Sequence, residues 1–380
     1  MARGSAKPDR LKPVPLYEDT VSNPPPKIRV AFCGAFDPRY PRHQIIIAGL
    51  ERVGVEVKPV MLPRKIAVWR QVFHLLRRTR ELRDCDLIFI PAFNQLLAPF
   101  VWLLSLWLRK PVLLDYMIGL TDSMVDERQT PSPLKAALYK LIDRFNLARI
   151  TALTDTEAHI RLFRSFAVVK TMFPLPVGVY DDWFHPEPIP DGPTCIQFFG
   201  SYLPFHGVEI ILDAAAEFRD RSDIIFEIIG NGQTFQRCQA YAETLRLTQV
   251  RFVDVVPPEV LPARVAQATI CLGVFGARPK TDYVVPNKVF QCMALGRPVV
   301  TADSTALREI FVPGQHLVMV RPGDSHALAA ALRDLLDSPA KREQVGQSAA
   351  QLIQTVYLPQ HIGLRLKPIL LHLIKDYPAE

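Results

Sequence analysis

The residues with the clearest chemical potential lie together at 284–309, VVPNKVFQCMALGRPVVTADSTALRE. Pro286 suits the first turn of a helix, where its missing N–H is no loss. Asn287 can cap that turn, and the free N–H groups there form an anion site. Lys288 adds a cation beside them. Gln291, one turn on, carries an amide able to meet a sugar hydroxyl. The same segment also reads as an ordinary amphipathic helix with Val289, Phe290 and Met293 in the core, and spacing alone leaves both readings open.

Other polar residues sit where strands should end. Asp115, in LLDYMIGLTDSMVDER, closes a short apolar run and is followed by Asp122 and Asp126. Any of them could orient an acceptor hydroxyl, while Asp122 and Asp126 also read as simple solvated loop acids. Asp155 and Glu157, in TDTEAH, begin a helix, where capping by Thr154 or Asp155 is sufficient explanation. Gly230 and Gly232 in IIGNG permit close backbone approach, although GNG is also a common turn.

These residues need a scaffold, and the chain supplies one twice. KIRVAFCGAF is a β-branched run closed by Gly34, followed by a helical pattern at Ile46, Leu50 and Val53 and another strand at Val55–Val60. Further short strands fall at Leu87–Ile90, Val112–Leu114 and Ile150–Leu153. Short apolar strands without alternation imply a parallel sheet covered on both faces. FHPEPIPDGP, residues 184–193, holds four prolines and reads as a linker. The alternation then restarts with TCIQFFGSY, ending at Gly200, and continues through DIIFEIIGNG, VRFVDVV, ATICLGVFG and RPVVTA. The expected class is α/β: an arm over 1–26, an N-terminal domain over 27–183, a C-terminal domain over 194–339 and closing helices over 340–380. A length of 380 residues suits two domains at roughly 100–200 residues each. The loops after Gly34, Gly200, Gly230 and Gly276 would all face the cleft between the sheets.

In this order, FFGSYLPFHGVEIILDAAAEF, IIGNG and VPNKVFQCMALGRPVVTADSTALREIF resemble the donor-binding domain of GT-B glycosyltransferases, specifically glycosyltransferase family 4. KIRVAFCGAFDPRYPRHQIIIAGLERVGVEV, RITALTDTEAHIRLF and FPLPVGVYDDWFHP are similar to the family's first half, so the resemblance runs from about residue 28 to about residue 357. It implies two facing Rossmann-like domains with a deep inter-domain cleft. It further implies a UDP- or GDP-sugar held mainly by the C-terminal domain, a retaining reaction without metal or other cofactor, and a last helix crossing back to the N-terminal domain.

The carry-over is uneven. The family's Glu-x7-Glu motif falls on Tyr283 and Gln291, so both carboxylates are absent; Gln291 can still bond a ribose, and Asp282 stands next to the missing sugar contact. The family's Arg and Lys around the first loop of the donor domain fall on Ser201 and His206. A subset with a P-x-H-G loop and a P-N-K-x-x-Q helix carries these departures, and this sequence is similar to it. Arg278 and Lys280 can supply the cation lost at Ser201. The expected reacting centre is His206 and Lys288, placed by the resemblance, with Asp115 added from its position at a strand's carboxyl end. Donor contacts are implied from Gly34, Gly200, Ser201, Gly230, Gly232, Asn287 and Gln291, with phosphate or sugar contacts from Arg278, Lys280, Asp282 and Tyr283. Loss of both glutamates also admits a catalytically impaired relative that binds a nucleotide sugar or a partner protein.

Net charge is +7, but it is concentrated. Residues 64–83 hold Arg64, Lys65, Arg70, Arg77, Arg78, Arg80 and Arg83 against Glu81 alone. A uniformly basic coat for nucleic acid is excluded, and this segment lacks the stacking aromatics such binding uses. Trp69, Val72, Phe73 and Leu76 follow helical spacing, with Arg70, Arg77 and Arg78 on the other side. This is either a core helix with a solvated basic face or a membrane surface built from Arg70, Arg77, Arg78, Trp69 and Phe73. Gln95–Leu108 beside it is apolar nearly all round but too short to span a bilayer. The expected acceptor is a glycan or lipid-linked molecule in envelope or exopolysaccharide synthesis. The expected location is cytoplasmic, peripheral on the inner face of the cytoplasmic membrane. Six cysteines without CxxC spacing fit reduced thiols and no zinc site.

Overall fold

The computed structural model describes residues 28–127 and 132–377, with the side chains of 126 and 127 excepted; the arm expected over 1–26 and the side chain of Asp126 lie outside the described residues. Two six-stranded parallel sheets form the frame. The first contains β1 (Arg29–Gly34), β2 (Glu56–Met61), β3 (Leu87–Ile90), β4 (Val112–Asp115), β5 (Thr151–Thr154) and β6 (Met172–Pro174), in the order β2-β1-β3-β4-β5-β6. The second contains β7 (Thr194–Phe199), β8 (Ile224–Ile229), β9 (Val250–Val253), β10 (Ile270–Leu272), β11 (Val299–Ala302) and β12 (Val318–Val320), in the order β12-β11-β10-β7-β8-β9.

The central strands are apolar end to end because helices cover both faces. β1 pairs Phe32 with Phe89 of β3, and the two rings stack 5.0 Å apart. On one face of the first sheet, the helix Pro41–Arg52 packs against the long C-terminal helix Pro359–Lys375. Their backbones touch where Gly49 meets Gly363: a methyl group on Gly363 would lie 2.0 Å from the Gly49 carbonyl oxygen. The C-terminal helix thus returns to the N-terminal domain. The opposite face is covered by helices Val68–Arg77, Ala98–Leu108 and Pro133–Arg149, each in a rightward crossover that the right-handed rule places on one side.

Strand order reverses at β1 in the first sheet and at β7 in the second. A parallel sheet opens a crevice at the carboxyl ends of its strands at such a switch point. The loops there begin at Gly34 and Gly200. Among the described residues no helix is long and apolar enough to cross a membrane, no cluster of ligands is arranged for a metal, and every cysteine is free.

Of the two readings of the 64–83 stripe, the core reading gives way here. Trp69, Phe73 and Leu76 point outward, 67%, 51% and 56% exposed, and Leu75 is the residue of helix Val68–Arg77 that is buried. The stripe is apolar but does not face the core. Arg78 is 32% exposed, and its guanidinium is paired with Glu81 at 2.6 Å and donates to the Met61 carbonyl.

Candidate functional site

The second switch point gathers His206, Lys288 and Gly200. Helix Asn287–Ala294 starts against the end of β7, with Pro286 as its cap residue in extended conformation. Its burial of Val289, Phe290 and Met293 fixes the helix in the core and turns Lys288 inward. Lys288 Nζ lies 3.7 Å from the centroid of the Phe198 ring and has no hydrogen-bond partner. Burial lowers its pKa to about 7. An ammonium without a carboxylate is an expensive group to enclose unless something anionic completes it.

His206 is held by a short 3-10 turn, Pro204–His206, whose backbone is clamped by Phe275 N–H to the His206 carbonyl at 2.9 Å. Its Nδ1 is buried without a partner. Burial, and then the ammoniums of Lys288 and Lys280, push its pKa well below the usual imidazole value. His206 is therefore a neutral hydrogen-bonding group, not a second cation. A methyl group on Gly200 would lie 2.8 Å from Lys288 Nζ and 3.3 Å from His206 Nδ1, so both nitrogens converge on the space glycine leaves there.

The neighbouring loops are fitted to each other by glycine. Gly230 (φ 120°) and Gly232 (φ 150°) adopt backbone that side-chain-bearing residues rarely take. Methyl groups on them would lie 2.1 Å and 1.8 Å from the carbonyl oxygens of Gly200 and Ser201. Their geometry thus serves loop-to-loop packing, and Ser201 is left exposed at the rim.

Across the cleft, Tyr40 at the start of helix Pro41–Arg52 faces the Asn287 side chain, and burial raises its hydroxyl to about 12. Asn287 is thus a cross-domain contact and not the helix cap. Gly34 is packed against Asn94, whose Oδ1 accepts from the Ala35 N–H at 2.7 Å. Further contacts join the domains. Lys280 pairs with Asp122 at 3.0 Å, and the Tyr283 hydroxyl donates to the same carboxylate at 3.0 Å. Thr156 donates from its hydroxyl to the Tyr283 carbonyl, and the Val285 N–H reaches Asp155.

Several expected site residues have other work. Asp115 is fully buried, and both its oxygens accept from Arg42 Nε at 2.9 and 2.7 Å, so it is a buried ion pair and not an open acceptor base. Asp282 accepts from the N–H and hydroxyl of Thr305 on Oδ1, fixing the start of helix Thr305–Ile310, and is itself exposed. Arg278 is exposed. Gln291 is half-buried one turn beyond Asn287. Thr156, not Thr154 or Asp155, caps helix Glu157–Phe166. Asp155 instead pairs with His159 at 2.8 Å; burial would raise its carboxyl, and His159 and Arg42 outweigh that and hold it below its usual range.

Tyr40, Arg42 and His159 escaped the sequence reading. The signal for Arg42 was present: a cation at the start of an apolar helix with Asp115 ending a neighbouring strand.

Residues 193–338 match the family described as Glycosyl transferases group 1. Alpha-D-kanosaminyltransferase of Streptomyces kanamyceticus is 26% identical over 182 residues, 47% of this chain and 46% of that protein. GDP-mannose-dependent alpha-(1-6)-phosphatidylinositol monomannoside mannosyltransferase of Mycolicibacterium smegmatis is 26% identical over 220 residues, 53% of this chain and 56% of that one. The chain thus spans about half the length of these curated relatives. Among solved structures, sucrose-phosphate synthase from Thermosynechococcus elongatus superposes with a TM-score of 0.73 at 16% identity, over 92% of this chain and 100% of that one. Anabaena Alr3699/HepE in complex with UDP-glucose superposes with a TM-score of 0.71 at 14% identity, over 91% and 100%. These likenesses establish a two-domain GT-B fold.

Proposed function

We propose that the protein is a retaining, metal-independent glycosyltransferase that takes a sugar from a UDP- or GDP-sugar. The observation that carries this reading is the pair of unpartnered buried nitrogens, Lys288 Nζ and His206 Nδ1, converging beside Gly200 at the switch point of the second sheet. A diphosphate supplies what each lacks. Its charge completes the lysine, its oxygens accept from the histidine, and the free N–H groups of the Asn287 turn add to both. As the bond to the sugar lengthens, negative charge grows on the leaving oxygen. Donors already fixed there stabilise that charge without reorganising. Among the described residues, the acids Asp115, Asp122 and Asp155 are paired with Arg42, Lys280 and His159, which suits a route in which the departing phosphate takes the acceptor proton.

The similarity to a family of transferases over residues 193–338 supports the donor assignment, as does the UDP-glucose held by one structural neighbour. Asp115 has a positioning role in this reading. Paired with Arg42 under the first loop, it sets the start of the helix that presents Tyr40 to Asn287. The acceptor is a glycan or lipid-linked molecule of envelope or exopolysaccharide synthesis, handled at the cytoplasmic face of the membrane, which helix Val68–Arg77 touches. Isothermal titration with a panel of UDP- and GDP-sugars tests the donor site, and no binding by any of them sinks the reading.

A second reading is binding without transfer. It is favoured by Tyr283, which stands where the resemblance implies a sugar-contacting glutamate and whose hydroxyl is committed to Asp122. Tight donor binding with no product from any acceptor, and no donor hydrolysis, would select it.

A further inference from the structure

We infer that the whole outer layer of three helices on the N-terminal domain is a docking platform for an anionic lipid bilayer. This rests on the transferase reading for its purpose and on independent observations for its existence. Each helix of the layer turns an apolar stripe to the outside at helical spacing. On Val68–Arg77 the stripe is Trp69, Phe73 and Leu76, and on Ala98–Leu108 it is Phe100, Leu103 and Trp107. On Pro133–Arg149 it is Leu134, Leu138 and Leu141, which are 82%, 50% and 64% exposed.

The stripes belong to one surface. Val68, Trp69, Val72, Leu96, Phe100 and Ile142, drawn from all three helices or their flanks, line a shared groove of about 320 Å³. Trp102 and Phe145 meet edge-on at 5.3 Å and tie the second helix to the third. A solvent-facing layer of this kind should be polar, and a contiguous apolar patch on it marks an interaction surface.

Charge selects the occupant. The three helices carry the exposed cations Arg70, Arg77, Lys135, Lys140, Arg144 and Arg149, while their one acid, Asp143, is buried. Asp143 accepts from the Tyr116 hydroxyl and from the N–H groups of Leu120 and Thr121, so no carboxylate faces outward from this layer. The cations lie over the apolar residues, with Arg77 4.1 Å from the Phe73 ring centroid and Arg70 5.0 Å from that of Trp69. Aromatic and aliphatic groups rimmed by arginine and lysine match the boundary between lipid headgroups and acyl chains. A second copy of the chain would set cation against cation across a self-complementary face, which disfavours it.

The platform also points the chemistry. In a parallel sheet the helices run back from the carboxyl ends of the strands. Trp69, Phe100 and Leu134, in the first turns of their helices, therefore lie at the end nearest the cleft. A bilayer on this face brings lipid-borne acceptors to the mouth of the cleft, which commits the acceptor class to lipid-linked molecules.

Flotation of the full chain with vesicles tests this. The protein should float with phosphatidylcholine–phosphatidylglycerol vesicles and not with phosphatidylcholine alone. Arg70→Ala with Arg77→Ala should lower partitioning roughly thirtyfold, at about 1 kcal/mol per cation near the surface. Trp69→Ser with Leu138→Ser should also weaken it, and nucleotide-sugar affinity should be unchanged in both variants. Wild-type protein that ignores anionic vesicles overturns the platform, as do variants that bind them equally well. A wild-type dimer in sedimentation that Trp69→Ser converts to monomer would assign the face to a second copy and also overturn it. Donor titration of the same samples separates this failure from failure of the transferase reading.

Discussion

Lys288 Nζ stands 3.7 Å above the ring of Phe198 and is paired with no anion. The aromatic face returns only part of what the ammonium loses on leaving water. The site is therefore held in a state that favours its ligand over its own stability.

Lys288→Met should separate these two quantities. Removing an unpaired buried cation leaves thermal stability equal or higher, since an apolar side chain of similar length fills the place. Binding of UDP should weaken roughly tenfold to a hundredfold, the loss of one charge-assisted hydrogen bond worth about 1.5–3 kcal/mol. Calorimetry of binding and of unfolding on the same variant reads both, and a fall in the two together would contradict the assignment.

The same lysine makes stability depend on pH. Its folded value of about 7 lies below the ordinary value of 10.5 that it recovers on unfolding. Between those two pH values the unfolded chain holds the proton and the folded chain does not. Stability from this group therefore rises with pH across the window and is lost as pH falls towards 7, by up to about 1.4 kcal/mol per unit. The melting temperature of the ligand-free protein, relative to Lys288→Met, should climb from pH 7.5 to pH 9. A diphosphate should return the proton, so binding near pH 8 should take up protons in calorimetry run in buffers of different ionisation enthalpy.

Gly232→Ala places a methyl group 1.8 Å from the Ser201 carbonyl oxygen at a φ of 150°. Gly314→Ala, at a φ of 77° with no atom within 4 Å, carries strain without a clash. The first should cost at least about 2 kcal/mol more than the second and abolish UDP binding, because the loop after β7 must move. Chemical denaturation of the pair measures the difference, and equal losses would remove loop packing as the reason for the glycine.

The frame of this molecule was legible because parallel strands buried on both faces are written as short apolar runs, and each of β1, β7 and β8 ends in a glycine-bearing turn. Lys288 was half legible: the proline, asparagine and lysine around it fit an anion site and an ordinary amphipathic helix alike, and the resemblance to a known donor domain singled it out. The partners of Asp115 and Asp282 were out of view for a common reason. An acid at a strand end or helix start is read as available, while its partner, Arg42 or Thr305, lies 73 or 23 residues away and is invisible to local spacing. Helix Val68–Arg77 shows the converse: periodicity located its apolar stripe but carries no information on whether that stripe faces the core or the surroundings.

Asp122 closes the cleft through Lys280 and Tyr283, both at 3.0 Å, and neither it nor Lys280 is exposed. Asp122→Asn keeps the hydroxyl contact and removes the carboxylate that Lys280 pairs with inside the cleft. The loss should be about 3 kcal/mol, concentrated in domain closure and not in either sheet. Small-angle scattering should show a larger radius of gyration for the ligand-free variant, with UDP-sugar restoring the wild-type value. A variant as compact as wild type would place closure in other contacts, such as Val285 with Asp155.

Asp115 offers the sharpest contrast between a positioning and a catalytic role. Both carboxylate oxygens accept from Arg42 Nε, and Arg42 also donates from Nη1 to the Leu175 carbonyl at 3.1 Å. Asp115→Asn leaves the guanidinium buried and unbalanced, at about 3–5 kcal/mol. Adding Arg42→Met to Asp115→Leu replaces two charges with apolar groups and should recover most of that stability. If the pair only positions the first loop, the double variant should also recover donor binding and much of the turnover, with the remaining loss in KM for the acceptor. If Asp115 orients the acceptor hydroxyl itself, turnover should stay low in the double variant however stable it becomes. Denaturation and steady-state kinetics on the same three proteins decide between the two.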